Sequence, residues 1–322
     1  MGNLYLRLSL ILILFFGLIY AIIVVFSSLL GVTSLSFYII LALFIMGLQY
    51  LIGPKIVEWT MKVSYIKRKD APQLFEIVEN LSKKAKIPTP KIGISRWNIP
   101  NAFAFGRSLK DGRICVTEGI LNILTKEELS AVIGHELSHL KNRDVLFITF
   151  LSVIPLILYR IALHLLFFGG YSRRRESQGY TALIGIGALL FYFISNLLVL
   201  YASRIREYFA DKGSIELGNQ PSLLASALYK LVYGSARIPR ENLRELEGTK
   251  AFFLNDISKS RKEITELAEL DLDKSGTIDP YELRELKRKE IRLSFADKLM
   301  EALSTHPNML KRIKQLSLYQ KG

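Results

Sequence analysis

His135-Glu136-Leu137-Ser138-His139 sets two imidazoles four residues apart. On an α-helix that spacing turns the second side chain only about 40° from the first, so both rings can reach one tetrahedral metal. Glu136, one position past the first histidine, can act on a water at that metal without ligating it. The chemistry is metal-assisted hydrolysis with a carboxylate base. The chain contains 4 histidines, and this pattern takes two of them. Thr125, followed three residues later by Glu128, forms a capping box that opens the helix carrying it.

A hydrolytic zinc centre needs a third protein ligand and an open fourth position. Ser203-Arg204-Ile205-Arg206-Glu207-Tyr208-Phe209-Ala210-Asp211 offers two acids four apart on one helical face. Spacing leaves open which of Glu207 and Asp211 binds metal. The other can accept the free ring N–H of a liganding histidine and fix its tautomer.

A second constellation runs from Asp271 to Glu282. Asp271, Asp273, Ser275, Asp279 and Glu282 stand at the side-chain positions of a twelve-residue EF-hand loop, Gly276 at its sharp turn, and Thr277 where a backbone carbonyl ligates. Helical spacing over Ile257–Leu270 and Tyr281–Leu293 supplies the flanks, so residues 257–293 read as an EF-hand-like insertion expected to bind calcium.

The elements that must position these residues include membrane spans. Half of the 322 residues are hydrophobic and mean hydropathy is +0.25. Apolar runs at Leu8–Leu30, Leu35–Ile52, Val145–Phe168 and Tyr180–Ala202 each approach the ~20 residues that cross a bilayer. The first is longer than a signal-peptide core and lacks an A-x-A-like cleavage site, so it reads as an anchor. The Gly31–Ser34 connector is uncharged, whereas Lys62, Lys67, Arg68 and Lys69 follow the second run, which puts the segment after Gly53 in the cytoplasm. Tyr171-Ser172-Arg173-Arg174-Arg175, between the third and fourth runs, goes against that tendency. A hairpin of any depth still returns the chain to the side it left, so residues 144 and 203 share a face and Glu207 can approach the histidines.

The expected architecture is a mainly α integral membrane protein with four transmembrane helices and a cytoplasmic α+β peptidase domain in two portions. Residues 1–52 and 145–202 are membrane hairpins, and residues 53–144 and 203–322 are the cytoplasmic portions. In the first portion Ala71–Ala85 has helical spacing, Lys91–Ser95 alternates as a strand, and Ala102–Gly106 with Arg113–Thr117 flank a hairpin turn at Lys110-Asp111-Gly112. The net charge of +14 is spread among acids without a nucleic-acid-binding motif, so the basic residues read as orientation and lipid contact rather than nucleic-acid recognition. The single cysteine, Cys115, excludes an intrachain disulfide and reads as a buried structural thiol.

His135–Asp144 (HELSHLKNRD), Ser203–Asp211 (SRIREYFAD), Asn101–Gly106 (NAFAFG) and Ser304–Pro307 (STHP) together resemble the HtpX family of membrane zinc endopeptidases, relatives of the CAAX prenyl protease. The match in order runs from residue 1 to about 212 and resumes near the C-terminus; residues 257–293 lie outside it. The resemblance implies a thermolysin-like core, one catalytic zinc on His135, His139 and Glu207, and Asp211 behind them. It implies that a substrate lies along an edge strand formed by Asn101, Ala102, Phe103, Ala104 and Phe105, and that His306 helps hold the oxyanion. It also implies unfolded or misassembled membrane proteins as substrates, with the zinc site facing the cytoplasm from the cell membrane. Asn308 departs from the family, which often has a second proline there. Two rival readings are a CAAX-type prenyl protease, which would normally have more spans, and an inactive calcium-binding membrane scaffold, which the intact histidines and acids argue against.

Overall fold

The structure is a computed structural model that describes residues 35–168, 177–236, 267–291 and 294–320. In chain order its elements are α1 (Leu35–Thr60), β1 (Val63–Tyr65), α2 (Pro72–Ala85), β2 (Lys91–Ser95), β3 (Ala102–Phe105), β4 (Arg113–Thr117), α3 (Glu118–Ile123), α4 (Lys126–Lys141), α5 (Asp144–Leu151), α6 (Val153–Phe168), α7 (Ser177–Glu216), α8 (Pro221–Ala236), α9 (Pro280–Arg288), α10 (Phe295–Ala302) and α11 (Met309–Ser317). The expected first span, its connector to residue 34, the Tyr171–Arg175 loop and most of the helix expected before Asp271 lie outside the described residues.

The chain divides into two compact units, Met1–Gln49 with Phe150–Val199, and Tyr50–Thr149 with Leu200–Gly322. In the first, α1 covers the expected second span. Ala182–Glu216 is the one described helical stretch long and apolar enough to cross a membrane, and Ile154–Leu166 is apolar but shorter. Two expectations change. The run Val145–Phe168 is not one helix but α5 and α6, broken at Ser152. Pro155 has no N–H for the Leu151 carbonyl and its ring crowds that group, so a continuous helix is disfavoured there. The fourth run, in contrast, does not stop at Ala202: α7 continues unbroken for 40 residues through Glu207 and Asp211, with no proline inside it.

In the second unit a four-stranded sheet has the order β1-β2-β4-β3. β2 and β4 run parallel with Ile92 opposite Ile114, and β3 pairs antiparallel to β4 with Phe105 opposite Arg113. Every residue of β4 is buried, as a strand covered on both faces must be. Ile92, Ile114 and Val116 join a core with Leu74, Ile77, Val78 and Leu81 of α2, Val132, Ile133 and Leu137 of α4, Leu224, Leu228 and Leu231 of α8, and Met309, Ile313 and Leu316 of α11. Cys115 lies on the other face and is fully buried, which pushes its thiol up and away from reactivity.

The hairpin expected at Lys110-Asp111-Gly112 is a longer connection, residues 106–112, containing a 3-10 turn at Leu109–Asp111 capped by the Ser108 side chain. Asp111 is occupied there, accepting from Arg107 Nε at 2.8 Å and pairing with Arg113 at 3.0 Å. The strand expected to reach Gly106 ends at Phe105, and Gly106 takes φ +143, where a Cβ would fall 2.3 Å from the Asp111 carbonyl oxygen. The helix expected over Tyr281–Leu293 also ends early, at Arg288. Lys314 Nζ closes it by donating to the carbonyls of Leu286, Lys287 and Lys289 at 2.7, 2.9 and 2.7 Å.

Candidate metal centre

Thr125 and Glu128 form the expected capping box at the start of α4. Glu128 also accepts from Ser226 Oγ at 2.6 Å and Lys230 Nζ at 2.9 Å, which ties α4 to α8 and fixes the histidine-bearing face. His135 Nε2 and His139 Nε2 approach to 3.1 Å with the rings nearly perpendicular. Each ring's other nitrogen faces a carboxylate: His135 Nδ1 lies 2.8 Å from Asp211 Oδ1, and His139 Nδ1 lies 2.6 Å from Asp144 Oδ2. Protons on both Nδ1 atoms leave both Nε2 lone pairs aimed at one point, the tautomers that metal binding requires.

Glu207 completes the triangle. Its Oε2 is 3.6 Å from His135 Nε2 and its Oε1 is 3.6 Å from His139 Nε2. One donor atom from each of His135, His139 and Glu207 lies within 4.8 Å of the others. Two ligands about 2.0–2.1 Å from a tetrahedral zinc would stand roughly 3.3 Å apart, close to the histidine separation here. Glu207 Oε2 is buried; it makes no hydrogen bond among the described residues and pairs with the Arg312 guanidinium, Nη1 at 3.1 Å. Two imidazole nitrogens and a buried carboxylate are a donor set that suits zinc. The alternative that spacing left open thus separates in space: Glu207 faces the Nε2 pair, and Asp211 sits behind His135.

The charges are unevenly placed. Burial alone would push the Glu207 carboxyl up, but His306 and Arg312 hold it well below the usual carboxylate range. Asp211 is likewise lowered against burial, by Arg312 and His135, while burial lowers His135 itself. Glu136 differs: burial pushes it up to about 7, only partly offset by the charge of His139 and the Ala104 backbone N–H. A carboxyl tuned near neutrality suits a group that must both take and return a proton.

Through that Ala104 contact β3 reaches the site. β3 is an edge strand, with its far side unpaired among the described residues. Ala102 and Ala104 turn toward α4, whereas Phe103 and Phe105 stack at 5.8 Å on the opposite face. Asn101 is buried and its N–H is held by Thr117 Oγ1 at 2.8 Å. His306 Nδ1 lies 3.4 Å from Glu207 Oε1. Asn308 caps α11, its Oδ1 accepting from the N–H groups of Leu310 and Lys311.

Three further residues stand at this centre that no motif spacing singles out. Asp144 lies inside the quoted motif and holds His139, and Arg206 in turn pairs with Asp144 and donates to the Asn142 carbonyl at 3.3 Å. Arg312 is fully buried beside Glu207 and Asp211. Its signal in the sequence is position: with Met309, Ile313 and Leu316 it falls on the apolar face of α11, an unusual place for a charge.

Away from this centre, Asp271, Asp273 and Glu282 bring one carboxylate oxygen each within 4.8 Å of the others. Gly276 turns at φ +80. Asp279 is not in that cluster; its carboxylate caps α9 by accepting from the Glu282 N–H at 2.7 Å. Ser275 Oγ and Thr277 Oγ1 lie 2.9 Å apart and bond to each other.

A mostly helical fold with an edge strand beside an H-E-x-x-H helix and a downstream glutamate defines the class of metal-dependent peptidases. Residues 68–320 match the model of Peptidase family M48. The chain is 52% identical over 227 residues to "Protease HtpX homolog" of Methanothermobacter thermautotrophicus, covering 70% of this chain and 85% of that one. It is 36% identical over 277 residues to "Protease HtpX homolog 2" of Methanosarcina acetivorans, covering 86% and 82%. Among solved structures, S. mikatae Ste24p superposes with a TM-score of 0.50 at 17% identity, over 98% of this chain and 67% of that one, a likeness of fold. The chain belongs to peptidase family M48, and its type is that of the HtpX homologues.

Proposed function

We propose that this protein is a multi-span membrane zinc endopeptidase that cuts unfolded or misassembled membrane proteins on the cytoplasmic side. The observation that carries the reading is the convergence of His135 Nε2, His139 Nε2 and Glu207 on one point, with Glu136 next to an edge strand. Zinc, when bound, supplies a Lewis acid for the peptide carbonyl and acidifies water. The chain's own groups do the rest. A substrate laid as an added strand along Asn101–Phe105 presents its carbonyl beside Glu136. Glu136 takes the proton from the attacking water and later returns it to the departing amine. His306, whose Nδ1 lies 3.4 Å from Glu207 Oε1, would donate toward the oxygen on which charge develops. Four spans, with peptidase portions over residues 53–144 and 203–322, would carry this site at the membrane surface.

Purified in detergent, the full chain is expected to hold one zinc per molecule and to cleave casein or an unfolded membrane protein. Cleavage confined to prenylated peptides would favour the CAAX-type alternative. Zinc-loaded protein that cleaves neither kind of substrate would sink the peptidase reading.

A second reading, calcium binding in the Asp271–Glu282 loop, is favoured by the convergence of Asp271, Asp273 and Glu282. Calcium there would neutralise three carboxylates and steady α9, whose end is gripped by Lys314 of α11. Titration calorimetry on the full chain is expected to give a calcium heat that disappears in Asp271→Asn with Glu282→Gln. A heat that persists in that variant, or none in wild type, removes the site.

A further inference from the structure

Arg312 is the largest fully buried side chain in the second unit's described core, and it reaches the centre from a helix that contributes no metal ligand. Its guanidinium grips Asp211 as a fork, Nε to Oδ2 at 3.0 Å and Nη2 to Oδ1 at 2.7 Å. The same Asp211 Oδ1 receives His135 Nδ1 at 2.8 Å. A third nitrogen, Nη1, stands 3.1 Å from Glu207 Oε2. One cation therefore spans Glu207 and Asp211 of α7 and, through Asp211, one imidazole of α4.

We propose that Arg312 is a positioning residue for the zinc site: its planar fork fixes the Asp211 carboxylate, and thereby the His135 tautomer, while its third nitrogen sets where the Glu207 carboxylate stands. The inference rests on zinc being the metal of this centre. Two effects of Arg312 oppose each other, and the geometry selects between them. As a cation close to the ligands it repels a divalent metal. As a fork it removes the freedom of two buried carboxylates that would otherwise turn away from the binding point or from each other. Two well-formed bonds to Asp211, shared with His135, make positioning the stronger effect. Lysine keeps the charge but not the fork, so it restores only part of the function.

The test measures zinc affinity of the full chain in detergent by competition with a chromophoric chelator, for wild type, Arg312→Gln, Arg312→Lys and Asp211→Asn. Arg312→Gln is expected to bind zinc about 10–100-fold more weakly, the usual effect of removing support behind a liganding histidine. Arg312→Lys is expected to lie between Gln and wild type. The visible spectrum of the cobalt-substituted protein is expected to change in both Arg312 variants, since it reports ligand geometry rather than global stability. Because Arg312 acts through Asp211, Arg312→Lys combined with Asp211→Asn is expected to lose less than the product of the single losses. Zinc affinity and cobalt spectra equal to wild type in a folded Arg312→Lys would overturn the proposal, as would tighter zinc binding in either Arg312 variant, which would mean that charge repulsion dominates. If Arg312→Gln does not fold, Arg312→Lys and its double variant decide alone. Absence of zinc from the wild-type protein would instead overturn the metal assignment itself, a different outcome from zinc that binds without regard to Arg312.

Discussion

Glu136→Gln is expected to bind zinc as tightly as wild type and to lose peptide cleavage by on the order of 10²–10⁴-fold, the range for a lost general acid–base. Glutamine occupies the same volume, and Glu136 is 4% exposed, in a setting that already disfavours its charge. The neutral substitute therefore fits without an unpaired ion. The atoms that converge for metal belong to His135, His139 and Glu207, so none of them changes. Zinc content by elemental analysis and casein cleavage in detergent check the two halves of the statement. A variant that holds zinc and cleaves at the wild-type rate would end the role of Glu136 as base.

Glu207→Gln is expected to lose zinc and activity together, with affinity falling by more than the ~10–100-fold typical of groups behind the ligands. The amide keeps an oxygen but not the charge that a divalent ion needs beside two neutral imidazoles. Folding should survive, because Arg312 retains its fork on Asp211 when Glu207 is neutral. The measurement is chelator competition on the metal-loaded variant, with circular dichroism to confirm the helices. Zinc affinity equal to wild type would mean that the third ligand lies elsewhere.

Both expectations depend on how α4 and α7 are held, and that holding comes from outside the two motifs. Glu128 begins as the cap of α4 and ends as the anchor of Ser226 and Lys230 on α8. Ser214 Oγ donates to the Ala131 carbonyl at 2.6 Å, and Gly213 allows close packing because a Cβ there would meet Ser138 Oγ at 2.2 Å. A Gly213→Ala change would push α7 off α4 at the point where Glu207 and Asp211 must stay in register with the histidines.

Where the sequence misled, the reason is local. Apolar composition marks Val145–Phe168 as one span because hydropathy sums over residues, whereas Pro155 acts on a single carbonyl and divides it. An Asp-Gly pair signals a two-residue turn, but Asp111 forms stronger bonds to Arg107 and Arg113, and Gly106 takes the positive φ instead. The end of α9 is set by Lys314, 25 residues from the last carbonyl it caps, beyond the reach of any local pattern.

Local spacing by itself marked the capped helix with its paired histidines, the glutamate that follows the first of them, the two acids four apart, a strand beginning at Ala102 and the twelve-residue loop. Each is written in spacing along one element, and a helix or strand converts spacing directly into direction. Spacing left open which acid meets the Nε2 pair and the family resemblance pointed to Glu207; the tertiary structure puts Glu207 there and Asp144 against His139. Only the tertiary structure decided the entry of Arg312 into the centre, since it lies 101 residues from Asp211 and 177 from His135. These are consequences of how helices pack: the rotation and offset of α7 and α11 against α4 follow from many side chains at once, and no window of sequence contains them.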